Sequence, residues 1–302
     1  HVVVSDTSTD KIPNISMTGG STTSESCCGA VQLACEELVR RLRPIKASVI
    51  AKRRVNAAAE SDDSSVAAVA AVNETVSWRD LIGAAAGSKI NLSAQRAWRR
   101  GVKPDLADRK EEEIKHNYCA FGVACSEVEV DSLTGETKVL RTDIIYDCGK
   151  PLNPAIDLGQ IEGGFVCGLG FLFREQVQHT GSAPTLFNHG TWEYKPPCSL
   201  DVPIDFRVAY LGKTQHDGVL SSKASGEPPL VLATSAFMAL REAIGAARRE
   251  SGVGDEFFTL HTPAMVDDVL AACCGASDAA MAAKLKRVWK GQKEQSSAGA
   301  GA

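Results

Sequence analysis

Residues 223–230 read Lys-Ala-Ser-Gly-Glu-Pro-Pro-Leu, and Glu227 is their only carboxylate. Residues 231–249 are apolar at helical spacing, with Leu230, Ala233, Phe237, Leu240 and Ile244 on one stripe. A proline suits the first turn of a helix, where its missing N–H has no intrahelical partner to lose. Pro228 and Pro229 therefore predict a helix start, with Glu227 at its positive end and Gly226 letting the chain turn into it. That helix end favours the charged form of a carboxylate. Two roles fit Glu227: a surface helix cap, or a general base that takes a proton from a reacting group.

Two further segments carry groups suited to a ligand. Residues 19–23 (Gly-Gly-Ser-Thr-Thr) form a small, hydroxyl-rich loop leading into a helix. Exposed N–H groups and hydroxyls at such a place suit a phosphate or another anion, although many ordinary caps look the same. Residues 154–175 hold five glycines (Gly159, Gly163, Gly164, Gly168 and Gly170) and Gln160. Glycine costs about 1 kcal/mol per helix-interior position relative to alanine, so something must come close to this helix. That neighbour is either a ligand or another packed segment. The Gln160 amide both donates and accepts, which suits the edge of a heteroaromatic ring.

The elements that would position these groups follow from periodicity and punctuation. A helix is expected over residues 24–43, ended by Pro44, and a low-complexity insertion over 46–76. A short helix follows at 77–86, then a charged loop over 93–115. Residues 118–130 and 137–146 alternate around Asp-Ser-Leu-Thr-Gly-Glu, which predicts a β-hairpin with Gly135 at positive φ. Asn153 and Pro154 open the glycine-rich helix as cap and first-turn residue. A strand is expected near 204–211, and helices near 262–274 and 279–290. The tail, 289–302, has the composition of a disordered segment. The expected fold class is α+β: hairpin-type strands with helices packed on them. Residues 1–45 and 77–288 would form one cofactor-binding region around the insertion.

Composition narrows the function. The 302 residues carry a net charge of −4 with no basic face, so nothing points to nucleic acid. The apolar runs are interrupted short of the ~20 residues a membrane span needs. The ten cysteines include no CxxC spacing, and residues such as Cys35, Cys125 and Cys167 read as buried free thiols of a reducing, cytoplasmic compartment. The chain starts with His1 and runs at once into a polar, strand-like segment, so it reads as a piece of something longer.

The strings SDTSTDKIPN, GGSTTSES, FGVACSEVEVDSLTGE, LRTDIIYDCGKPLNPAIDLGQIEGGFVCGLG and SSKASGEPPL occur in this order and span most of the chain outside the alanine-rich insertion. Together they resemble the C-terminal part of the molybdopterin-binding region of the xanthine dehydrogenase/aldehyde oxidase family. The resemblance implies a molybdenum–molybdopterin cofactor with no protein side chain bound to the metal. It implies Glu227 as the general base for hydroxylation at an sp² carbon. Gly20 would lie with its backbone beside the metal, and Ser21, Thr22 and Thr23 would bind the phosphate-bearing side of the pterin. Gln160 would hydrogen-bond the pterin, Gly226 would line the cofactor, and the glycine-rich helix would let its backbone approach that group.

FAD and two 2Fe–2S clusters belong to the full-length family enzymes and are not expected on this chain. Cys167 stands where the family usually has Gln, and the 46–76 insertion is longer than expected. KASGEPPL, TGGSTTSES and GTWEYK are more similar to plant-type aldehyde oxidases than to xanthine dehydrogenases. The first expectation is thus oxidation of a small-molecule aldehyde, in a homodimer when full length, without nucleic acid or membrane partners. The alternatives are a purine-hydroxylating xanthine dehydrogenase fragment, acting on N-heterocycles, and a non-catalytic truncated remnant.

Overall fold

The computed structural model describes residues 2–4, 8–12, 17–60, 75–98, 118–180, 185–212, 218–254 and 256–275. The chain divides into two compact units, 1–117 and 118–302. The expected helix at 279–290 and the tail lie outside the described residues, as do residues 61–74 of the 46–76 segment and most of the 93–115 loop; residues 46–60 of the expected insertion are helical.

Among its described residues the first unit holds helices α1 (Thr23–Glu60) and α2 (Trp78–Gly87). Ser77 caps α2 by accepting the Asp80 N–H on its hydroxyl. The prediction that Pro44 ends the first helix fails, because α1 runs through Pro44 for 16 further residues, from 45 to Glu60. A proline removes one ladder bond and crowds the preceding turn, which bends a helix without necessarily ending it. Ties on both sides of Pro44 hold the helix. Arg41 donates to the carbonyls of Asn91 and Ser93 at 2.9 and 2.8 Å, and Arg53 pairs with Asp80 on α2 at 2.7 Å.

The second unit is built on a three-stranded sheet in the order β1 (Gly122–Val130), β2 (Thr137–Tyr146), β5 (Asp205–Tyr210). β1 and β2 form the expected antiparallel hairpin, with a bulge between Glu127 and Val128. In its turn the Asp131 carboxylate accepts the N–H groups of Leu133 and Thr134, and Gly135 sits at φ +80°. A side chain at Gly135 would also strike the Val266 carbonyl. β5 lies parallel to β2 on its other edge. A small antiparallel pair, β3 (His179–Thr180) with β4 (Thr185–Leu186), forms a second sheet.

The alternating residues Thr142, Ile144 and Tyr146 of β2 turn inward. They pack under α3 (Pro154–Phe173), whose buried stripe includes Ile161, Phe165 and Leu169. A 3₁₀ turn (Pro228–Ala233) runs into α4 (Thr234–Glu250). Ala233 and Ala236 join the first core, while Leu240 and Ile244 form a second with Val269 and Cys273 of α5 (Val266–Cys273). The 230–244 stripe thus does what its spacing predicts. Mixed helices and strands confirm the α+β class.

Two expectations need correction. Pro154–Phe173 and Pro228–Glu250 are long and apolar enough to cross a membrane by length and composition, with mean hydropathy of 1.3 and 1.4. Isolated polar residues such as Gln160 and Glu162 interrupt the runs without lowering that mean below a span's. Here each segment puts its apolar stripe into a core. All ten cysteines are free thiols as expected, but Cys35, Cys125 and Cys167 are exposed; the buried ones are Cys148 and Cys273. An apolar neighbourhood in sequence does not say which side of a helix or strand faces inward.

Candidate active site

Glu227 stands at the entrance to the 3₁₀ turn, with Pro228 and Pro229 in its first positions. Its backbone carbonyl accepts the Leu230 N–H at 3.0 Å, but its side chain makes no cap hydrogen bond and is exposed. The cap reading therefore does not describe this carboxylate, which is free for other work. The prolines set the turn but leave it in 3₁₀ form before α4 begins at Thr234.

The segment carrying Glu227 lies directly on the glycines of α3. A Cβ placed on Gly164 would come within 2.7 Å of the Gly226 carbonyl oxygen and 3.3 Å of Pro229 Cβ. One on Gly168 would collide with the Leu230 carbonyl and come within 2.7 Å of Ala233 Cβ, and one on Gly170 would meet Pro197. These three glycines exist for close packing against protein, which corrects the expectation that the whole glycine stripe serves a cofactor. Gly159 and Gly163 are different: nothing lies within 4 Å of where their side chains would be. They share an exposed face of α3 with Ile156, Gln160, Cys167 and Phe171. Gln160 is four residues before Gly164, so it lies about 6 Å along the helix from the Gly164–Gly226 contact. The segment bearing Gly226 thus packs on α3 about one helical turn from Gln160.

Several groups that hold this arrangement were not read from the sequence. The Lys223 ammonium is buried and donates to the buried Asp147 carboxylate and, at 3.0 Å, to the Cys119 carbonyl. Tyr146 donates to the Ala224 carbonyl at 3.1 Å, and the Ala224 N–H donates to the Tyr118 hydroxyl at 2.9 Å. Ser225 donates to Asp157 Oδ1 in the first turn of α3 at 3.5 Å, and Asp157 Oδ2 is buried with no hydrogen-bond partner among the described residues. Burial pushes the Cys148 thiol up to about 11, with Asp157 and Asp147 adding to the shift, and burial likewise raises the Tyr146 hydroxyl. Charged residues inside otherwise small or apolar strings (IIYDCG, SSKASG) were the available signal. Their pairing across 76 residues was not visible.

The loop at residues 19–23 belongs to the first unit. Gly20 and Ser21 are both left-handed, at φ +66° and +54°. The Thr22 carbonyl accepts the Ser26 N–H, and its hydroxyl donates to the Gly19 carbonyl at 3.1 Å. Thr23 opens α1, so the unsatisfied N–H groups of the first helical turn follow a sharp backbone turn. This donor set suits an anion.

A model of the molybdopterin cofactor-binding domain matches residues 1–203, which include Gly20, Ser21, Thr22, Thr23 and Gln160 but not Glu227. The chain is 45% identical over 238 residues to an indole-3-acetaldehyde oxidase of Zea mays, covering 78% of this chain and 15% of the relative. It is 42% identical over 263 residues to the abscisic-aldehyde oxidase of Arabidopsis thaliana, covering 85% of this chain and 17% of the relative. It therefore spans about a sixth of the length of the curated relatives it matches. A Cu,Mo-CO dehydrogenase superposes with a TM-score of 0.59 at 16% identity, over 87% of this chain and 31% of that one, a likeness of fold.

Proposed function

This chain belongs to the xanthine dehydrogenase/aldehyde oxidase family, whose molybdopterin cofactor-binding domain it carries, and on that premise we propose that it supplies the base and part of the cofactor cradle for oxidation of an aldehyde to a carboxylate. The observation that carries the proposal is Glu227: exposed, without a cap bond, and flanked by Gly226 and Pro229, which pack against Gly164 of α3 one turn from Gln160. The cofactor of this domain is molybdenum–molybdopterin; the family's FAD and iron–sulfur clusters lie outside the chain.

The residues present fit such a group. Gly159 and Gly163 leave an open strip beside Gln160, the unpartnered Asp157 oxygen offers an acceptor, and residues 19–23 offer clustered N–H donors and hydroxyls. When bound, the cofactor supplies a Lewis-acidic metal and takes up the two electrons of the oxidation. The remaining work falls to the chain. Gly20 would give backbone room beside the metal, which takes no side-chain ligand. Ser21, Thr22 and Thr23 would hold the phosphate-bearing side, Gln160 would donate to and accept from the pterin edge, and Gly226 would line the approach. In the reaction the aldehyde C–H bond breaks and a C–O bond forms with oxygen from water. The Glu227 carboxylate accepts the proton given up by that oxygen, as a general base.

The aldehyde-oxidase names of the relatives support an aldehyde over a purine substrate. Ten free thiols support a reducing, cytoplasmic setting, and a homodimer without nucleic-acid or membrane partners is the assembly inferred for the whole protein. The test is turnover of an aromatic aldehyde and of xanthine by the full-length holoenzyme that contains these residues. Activity on xanthine alone would overturn the aldehyde assignment. Glu227→Gln should lower kcat by ~10²–10⁴-fold with molybdenum content near normal; loss of the cofactor instead would make Glu227 structural.

A further inference from the structure

The geometry points to the buried Lys223–Asp147 ion pair as the positioning element of Glu227, an inference that rests on the base role proposed above. Lys223 is four residues before Glu227 and is only 8% exposed; Asp147 is 1% exposed. Removing two charges from water is rarely the most stabilising use of a core, and a well-packed apolar pair often does as well. What a buried pair can add is a fixed register, because each charge accepts only one arrangement. Here the arrangement is over-determined. Lys223 Nζ also donates to the Cys119 carbonyl and stands 5.6 Å from the Phe121 ring centroid, while Asp147 Oδ1 accepts the Gly149 N–H at 2.9 Å. The Lys223 N–H donates to the Cys148 carbonyl at 2.9 Å, and Gly149 and Ser222 form an antiparallel bridge. The next residue, Ala224, is held on both backbone groups by the Tyr146 and Tyr118 hydroxyls. Just upstream, Leu220 and Ser221 are consecutive non-glycine residues at φ +53° and +61°. Such strain persists only where the surroundings enforce it, and it clusters at functional sites. The chain from Ser221 to Gly226 is therefore a strap, pinned to the end of β2 at one side and pressed on Gly164 at the other, with Glu227 the next residue, where the strap enters the 3₁₀ turn.

The test is a double-mutant cycle in the full-length holoenzyme, reading kcat, KM for an aromatic aldehyde, and molybdenum content. The paired variant Lys223→Gln with Asp147→Asn removes both charges and leaves no lone buried ion. Positioning predicts a fall in kcat of at least ~10-fold with KM and molybdenum content little changed, since misplacement of about 1 Å can cost ~10²-fold in rate. In a Glu227→Gln background the same pair should cost less than ~2-fold, because effects that act through one group do not add. An equal loss in both backgrounds, or an unchanged kcat in the first, overturns the positioning role while leaving Glu227 as base. A fully active Glu227→Gln overturns the base reading and this inference with it. Tyr118→Phe, which removes only the hydroxyl bonded to Ala224, is read in the same cycle and decides the matter if the paired variant does not accumulate.

Discussion

Gly164→Ala is the smallest change that should move Glu227 without touching it. The added methyl would lie 2.7 Å from the Gly226 carbonyl oxygen, against a comfortable carbon–oxygen separation of about 3.4 Å. The Gly226–Pro229 segment must therefore shift by about 0.7 Å, or α3 must move away from it. Neither is easy: α3 is anchored in the core by Ile161 and Phe165, both fully buried, and the segment is held by Lys223 and the tyrosines. Overpacking of this kind costs about 1–3 kcal/mol, or roughly 2–12 °C in the melting temperature of a unit this size. If Glu227 is the base, the same shift should reduce kcat by ~10–100-fold while KM and molybdenum content change little. Thermal unfolding and steady-state kinetics of the full-length holoenzyme are the assays. Gly83→Ala in α2, where nothing lies within 4 Å, is the comparison for stability and should gain up to ~1 kcal/mol. A Gly164→Ala enzyme with wild-type melting temperature and kcat would refute the contact and what is built on it.

Glu227→Gln and the Lys223/Asp147 cycle test the base and its positioning as set out above. Cys148 should shape the alkaline limb of stability. Its folded thiol titrates at about 11 and an unfolded thiol near ~8.5, so between these values the unfolded chain releases a proton that the folded one keeps, and stability falls as pH rises. Cys148→Ala should flatten that limb between pH 9 and 11 in urea or thermal unfolding; an unchanged slope there refutes the assignment. Pro44→Ala should restore an N–H to the α1 ladder and raise stability by up to ~3 kcal/mol, whereas a helix ended at residue 43 would gain nothing.

What the residues alone determined was local. Pro228 and Pro229 set the turn that follows Glu227, Pro154 opens α3 behind Asn153, whose side chain makes no cap hydrogen bond, and Asp131 with Gly135 closes the hairpin. Each depends on backbone preferences expressed within a few residues, which is the range over which sequence pattern is informative. The motif strings also marked Gly20, Gln160 and Glu227 as a set. The tertiary structure decided how the segments around Gln160 and Glu227 pack. Only packing shows that Gly164 and Gly168 face protein while Gly159 and Gly163 stay open, since all four look alike in sequence. Only packing lets α1 survive Pro44, through Arg41 and Arg53. And only the fold brings Asp147 to Lys223 across 76 residues, because a buried charge chooses its partner by proximity in space, which the chain's order does not record.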